Sequence, residues 1–268
     1  MKISDLIHRL KNRHKQQTVI TFTGGMGAQI ISAAIYFFLQ DKGQEVVADL
    51  SYFDKNEKVA RVGNKGEVSH WSWQLSLFGL APDSFQSATN YSRRTVNLIE
   101  DGPVKSRLSI EALREPAIQA RFALPDDCLK DLPLKPGSYL CIHVRRGDYV
   151  NVASHLVSDE EFFQIAERFK GLLNHLVVVS DSPIEAGFRE RISASYAEAT
   201  FLDNIDAFTT HCVMRKARIL VCSNSQFSLI AALLNPAGLV VLPKQWFGPG
   251  DEALEAPIHS SCNFQILN

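Results

Sequence analysis

The chain has 268 residues, 46% of them hydrophobic, and 28 Lys and Arg face 29 Asp and Glu for a formal charge of -1. This length and composition support one large or two modest cores and exclude a disordered chain. The near-balance of charge disfavours a duplex-binding surface, so nucleic acid is not an expected partner, while a local basic pocket stays open.

Met1 to Gln17 sets Ile3, Leu6, Ile7 and Leu10 at helical spacing beside Arg9, Lys11, Arg13 and Lys15, which predicts a basic amphipathic helix. Its apolar stripe suits packing on the protein's own domain; the alternative is peripheral contact of residues 1-17 with an anionic membrane. No apolar run approaches the length of a membrane span, about 18 residues, and the N-terminus lacks a signal-peptide core. The expected location is the cytoplasm, with the inner membrane surface as the peripheral alternative.

Thr18 to Phe22 reads as a buried strand, followed by Gly24-Gly25-Met26-Gly27, an apolar helix from Ala28 to Leu39 and a strand from Glu45 to Ala48. Glycines at such a junction let the backbone turn sharply and let a ligand approach helix N–H groups, and they serve strand-to-helix packing equally well. Their spacing is not that of a Rossmann dinucleotide fingerprint. From Tyr52 to about Gly137 the pattern weakens, with helical pieces expected near residues 70-78 and 109-123. Leu132-Pro133-Leu134-Lys135-Pro136-Gly137 continues neither helix nor strand, and the domain boundary is placed there, giving domains 1-135 and 136-268.

Beyond it strands and helices alternate. Strands are predicted over 139-144, 176-179, 219-222 and 239-242, and helices over 159-173 (with Ser158 as N-cap), 206-216 and 226-234. Such alternation implies a parallel, doubly wound sheet, and the strand ends carry Arg145-Arg146, Ser180-Asp181, Ser223-Asn224-Ser225 and Lys244.

The run Cys141-Ile142-His143-Val144-Arg145-Arg146-Gly147-Asp148-Tyr149 carries the chemistry. Two guanidinium groups at a strand end suit a diphosphate, since each is always charged and offers a planar fork of donors to phosphate oxygens. A nucleotide-sugar site is the leading reading; solvated strand-end charges are the alternative. No Asp-x-Asp and no zinc-ligand spacing of Cys and His occurs, so no metal site is expected and the arginines would neutralise the diphosphate themselves. The five cysteines, Cys128, Cys141, Cys212, Cys222 and Cys262, read as buried free thiols of a reducing compartment. Ser223 to Ser228 stands between an apolar strand and an apolar helix, as a helix cap or a phosphate-receiving helix start.

Taken together these blocks resemble the bacterial α-1,2-fucosyltransferases, glycosyltransferases of the family 11 type that use GDP-fucose. The family's Gly-Gly-Leu-Gly-Asn-Gln is similar to Gly24 to Gln29, and its His-x-Arg-Arg-Gly-Asp-Tyr signature is met in full by His143 to Tyr149. Val179-Ser180-Asp181, Ser223 to Ala232 and Pro243-Lys244-Gln245-Trp246 resemble the remaining blocks in order. The chain departs from the family where Ala28 replaces Asn and where Leu229-Ile230 replaces two tryptophans, which bears on acceptor choice or on packing around the third block.

The resemblance implies an α/β, GT-B-like fold of two Rossmann-like domains facing a cleft, with an acceptor-side N-terminal domain and a C-terminal domain binding GDP-fucose. It implies inverting, metal-independent transfer of fucose to the 2-hydroxyl of a terminal β-galactoside acceptor glycan, in surface-glycan or O-antigen synthesis. Arg145 and Arg146 would meet the diphosphate, His143 would set hydrogen bonding in the pocket or be a satisfied core histidine, and Asp148 would orient an arginine or face the acceptor. Asp181, Asn224, Ser225 and Ser228 would contact guanine, ribose or phosphate, while Gly24, Gly25, Gly27 and Gln29 would approach the donor from the other half. No cofactor beyond the donor substrate is expected. Two rival readings are an NAD(P)-dependent oxidoreductase built on Gly24 to Gly27 with Asp49 as ribose ligand, and a non-catalytic nucleotide- or glycan-binding relative.

Overall fold

A computed structural model describes residues 17-53, 60-62, 67-69, 72-88, 91-92, 96-100, 103-151, 156-203, 205-235, 238-243 and 264-266. The helix expected from Met1 onward and the Lys244 to Trp246 block lie outside the described residues. The chain divides into two compact units, Met1–Ala123 and Leu124–Asn268. The division falls ahead of the Leu132 to Gly137 stretch that suggests it in the sequence. The turns that follow Pro125 bury Leu129 and Leu134 and belong to the second unit.

In the first unit, β1 (Thr18–Thr21), α1 (Met26–Asp41) and β2 (Val46–Asp49) form the expected strand-helix-strand opening. A short antiparallel pair, β3 (Ala60–Val62) and β4 (Glu67–Ser69), precedes β5 (Asn97–Ile99). The sheet order β2-β1-β5 is parallel throughout. Thirteen of the sixteen residues of α1 are buried, which makes it a core helix rather than an amphipathic surface one. The helix expected over 109-123 is two helices, α2 (Pro103–Arg114) and α3 (Pro116–Ala120). Pro116 forces the break: the proline ring disfavours helical geometry in the preceding residue, and Glu115 is extended with ψ 121°. Near residues 70-78 the described helix is only the 3-10 turn Leu75–Phe78.

The second unit contains β6 (Tyr139–Val144), α4 (Asp159–Phe169), β7 (His175–Ser180), α5 (Ala186–Ser195), β8 (Glu198–Asp203), α6 (Ala207–Arg215), β9 (Ile219–Val221), α7 (Gln226–Leu233), β10 (Leu239–Leu242) and β11 (Phe264–Ile266). Its six-stranded parallel sheet runs β8-β7-β6-β9-β10-β11, the doubly wound order 3-2-1-4-5-6 when the strands are counted within the unit. Ser158 opens α4 with a capping box: its hydroxyl accepts from the Glu161 N–H at 3.2 Å while its own N–H donates to Glu161 Oε2 at 2.8 Å.

Side chains of β6 alternate between two buried layers. Leu140, Ile142 and Val144 join Phe162, Ala166, Phe188 and Ile192 on one face. On the other face Tyr139 donates its hydroxyl proton to the Val213 carbonyl of α6 at 2.7 Å. Helix α5 and strand β8 carry little sequence signal, because α5 buries only Phe188 and Ile192 and the edge strand β8 neither alternates nor runs apolar. Cys141, Cys212 and Cys222 are buried free thiols and Cys128 is a partly buried one. Among the described residues no helix is long and apolar enough to cross a membrane.

Candidate active site

In the second sheet the strand order reverses between β6 and β9, and open α/β sheets admit ligands at that point, beyond the carboxyl ends of the strands. Backbone pairing of β6 with β9 ends at Ile142↔Val221, whereas β6 and β7 stay paired as far as Val144↔Ser180. His143, Val144 and the arginines after them therefore extend beyond the last backbone pair with β9.

Arg145 and Arg146 leave the strand in different directions, as consecutive residues of extended chain do. The Arg145 guanidinium lies 2.6 Å from the Asp181 carboxylate at the end of β7 and 5.2 Å from the ring centre of Tyr149. Arg146 turns the other way, onto the Asp159 carboxylate in the first turn of α4. It also donates to the Val157 carbonyl at 2.9 Å, and its guanidinium lies over the Phe162 ring. Each arginine of the pair thus has its own carboxylate partner. Asp181 further accepts the Arg146 N–H at 2.8 Å, and Ser182 accepts the Gly147 N–H at 3.2 Å, so the tip of β7 locks the tip of β6. Asp148 occupies the turn Gly147–Asn151 that follows.

His143 is 2% exposed, and its Nδ1 lies 2.7 Å from Ser223 Oγ, just beyond the end of β9. Burial, reinforced by the neighbouring Arg145 charge, pushes its pKa down to about 3, so the ring is neutral at physiological pH. Phe227 lies between His143 and His211, with ring centres 5.7 and 5.3 Å away, and burial also holds His211 well below the usual range. Ser225 is the N-cap of α7, its hydroxyl accepting from the Phe227 N–H. Ser228 is fully buried, and its hydroxyl has the Ser223 and Ser225 carbonyls as acceptors at 3.0 and 3.1 Å. Ser225 and Ser228 thus shape the loop from within, where a ligand contact is expected from the sequence; Asn224 stands between Ser223 and Ser225 and is 5% exposed.

The glycine loop belongs to the first unit. Gly24 has φ +70°, and a Cβ there would stand 3.2 Å from that of Ala28. Gly25 is the N-cap of α1, with no side chain to close the helix end, and Gly27 lies buried in the first turn. Gln29, expected from the sequence at the donor, is held within its own unit. It is completely buried, and its amide donates to the Gly24 and Ser72 carbonyls at 2.8 and 2.9 Å while accepting from the Gln74 N–H at 2.8 Å. It is a strap that fixes the loop. Among the described residues no group of three His, Cys, Asp or Glu side chains is placed to hold a metal ion.

The family model described as Glycosyl transferase family 11 matches residues 111–252, more than half of the chain. The chain belongs to glycosyl transferase family 11. The matched span contains the whole arginine edge, from β6 through β10. Family 11 membership makes the protein a glycosyltransferase and sets aside the oxidoreductase reading. Asp49, which that reading needs as a ribose ligand, has its carboxylate engaged by the Ser51 N–H and the Tyr91 hydroxyl.

No curated protein matches the chain. Among solved structures, POFUT1 in complex with GDP is similar at 14% identity over 84% of this chain and 96% of that one, with a TM-score of 0.42. NodZ alpha-1,6-fucosyltransferase soaked with GDP-fucose is 15% identical over 83% and 94%, at 0.44. The E. coli heptosyltransferase WaaC with ADP is 13% identical over 94% and 92%, at 0.48.

Leu229 and Ile230, where the resemblance expects two tryptophans, are 5% and 0% exposed in α7. Both pack behind the Ser223 to Ser228 block. Sequence reasoning did not pair Asp159 with Arg146, Ser182 with Gly147 or Ser223 with His143. Asp159 had a signal, an acidic helix start thirteen positions after Arg146; the pairings of Ser182 and Ser223 depend on strand order alone.

Proposed function

We propose that this family 11 glycosyltransferase is a galactoside α-1,2-fucosyltransferase, transferring L-fucose from GDP-fucose with inversion to the 2-hydroxyl of a terminal β-galactoside during surface-glycan synthesis. The observation that carries the reading is Arg145, held by Asp181 at the switch point of a doubly wound sheet. A fixed guanidinium there meets the charge that develops on the diphosphate as the bond to fucose C1 breaks. The donor and the linkage rest on the resemblance of His143 to Tyr149 to the family signature.

In this mechanism the acceptor hydroxyl oxygen attacks C1 from the face opposite GDP and gives up its proton to water, while the C1–O bond to GDP breaks and its electron pair leaves with the β-phosphate. Arg145 stabilises that oxygen directly. Arg146, held by Asp159 and Val157, fixes the loop after β6 and adds a second positive charge to the same edge. Preorganised charge of this kind acts without reorganising as the reaction proceeds, which is what makes it effective in a low-dielectric crevice.

The test is incubation with GDP-fucose and a panel of β-galactosides, following GDP release and determining the product linkage by NMR. An α-linked fucose on galactose O2 supports the reading. Linkage to another hydroxyl, or turnover of a different nucleotide sugar with none of GDP-fucose, overturns it. GDP binding with no turnover on any acceptor would instead favour the non-catalytic relative.

A further inference from the structure

Beyond Ile142↔Val221 no backbone pair joins β6 to β9, and the next link between their ends is the 2.7 Å hydrogen bond of His143 Nδ1 with Ser223 Oγ. Both residues are 2% exposed. Each is close in the chain to a segment of the proposed donor site: His143 is two residues before Arg145, and Ser223 directly precedes Asn224 and the cap of α7. Ser223 is held in turn from the helix side, because its carbonyl accepts from the Ser225 N–H at 2.9 Å and from the Ser228 hydroxyl at 3.0 Å.

Proton accounting favours one direction for the His143 bond. A serine hydroxyl has one proton. That of Ser228 has two carbonyl acceptors at 3.0 and 3.1 Å, against 3.5 Å to Ser223 Oγ, so it goes to a carbonyl. If His143 Nδ1 carried the proton it would donate across the 2.7 Å contact, and the buried Ser223 hydroxyl proton would be left with Ser228 Oγ at 3.5 Å, the outer limit of a hydrogen bond. A Ser223 proton on the 2.7 Å contact avoids that poor donor geometry, and a neutral His143 that accepts at Nδ1 carries its one proton on Nε2.

We infer that Ser223 is a positioning residue of the donor crevice: its hydroxyl clamps the ends of β6 and β9 at the switch point and locks His143 in the Nε2–H tautomer. The inference rests on the proposed donor site for its functional consequence, though not for the tautomer. Locking the ring this way holds Arg145 and Asn224 at one spacing before any ligand arrives, so nucleotide binding does not have to order them.

Nitrogen-15 NMR of the full chain labelled at histidine tests the tautomer, and GDP titration of the wild type, Ser223→Ala and Ser223→Thr tests the consequence. For wild type, His143 is expected to show an unprotonated Nδ1 and a protonated Nε2. Ser223→Ala is expected to give a mixture of tautomers and about tenfold weaker GDP binding, with Ser223→Thr, which keeps the hydroxyl, restoring both. A wild-type His143 protonated at Nδ1 overturns the assignment. So does unchanged GDP affinity in a folded Ser223→Ala. A wild type that shows the Nε2–H tautomer yet binds no GDP overturns the proposed function and leaves the clamp standing.

Discussion

Gly147 packs so closely on Asp181 that a Cβ at position 147 would stand 2.6 Å from carboxylate oxygen Oδ2 and 3.7 Å from the Arg145 guanidinium carbon. Its φ of +23° also lies where residues with side chains rarely sit. The glycine of the signature is therefore required by the ion pair beside it as well as by its own backbone.

Gly147→Ala is expected to displace Asp181 and with it Arg145. A misplacement on the order of 1 Å lowers kcat/KM by about 100-fold. Thermal unfolding should register a smaller loss, about 1 to 3 kcal/mol, the usual cost of a strained backbone position. Parallel measurement of GDP release and Tm checks the split, and a variant with full activity removes the argument for the Arg145–Asp181 geometry.

Arg145→Ala is expected to lower kcat/KM by about 100- to 1,000-fold with little change in Tm, since the guanidinium acts on a developing charge and adds little to the core. Arg145→Lys should recover little of the loss, because a point charge lacks the planar fork. Asp159→Asn leaves Arg146 without its carboxylate and should lower activity by about tenfold. Steady-state kinetics at saturating GDP-fucose decides all three.

Activity is expected to persist in excess EDTA, because Arg145 and Arg146 supply the positive charge that an Asp-x-Asp metal site provides in other transferases, and this sequence has no Asp-x-Asp. Abolition by EDTA with restoration by one divalent metal would sink the arginine-only account.

Gln29→Glu replaces two donors with a carboxylate aimed at the Gly24 and Ser72 carbonyls in a fully buried site. The expected cost is about 2 to 4 kcal/mol, from lost hydrogen bonds and a buried charge. Gln29→Leu, which strands three backbone groups without adding a charge, should cost less. Urea unfolding of both variants, with hydrogen exchange at Gly24 to Gly27, separates loss of the strap from general destabilisation.

Stability should fall as pH drops below about 6.5, the unfolded pKa of histidine. His143 and His211 are neutral in the fold and protonate readily when unfolded, so the unfolded state binds more protons and acid favours it. For His143 the contribution is complete above the unfolded pKa and is lost as pH falls toward its folded value of about 3. Each such histidine adds a slope of about 1.4 kcal/mol per pH unit inside that window. Urea denaturation of wild type and His211→Leu at stepped pH checks it: the variant should show the shallower slope.

The linear sequence was sufficient for the α/β class, the parallel character of the second sheet, the Ser158 cap and the arginine signature. Each of these is written in neighbouring residues: apolar strands buried on both faces, a Ser-to-Glu capping spacing, two arginines at a strand end. What folding in three dimensions decided is who stands opposite whom. Strand order set β7 and β9 on either side of β6, so Asp181 meets Arg145 and Ser223 meets His143 from positions 36 and 80 residues away in the chain. The burial of Gln29, Leu229 and Ile230 likewise depends on which segments pack over them. Local periodicity reports how a residue faces along its own helix or strand; the partner across the sheet is fixed only when the strands assemble.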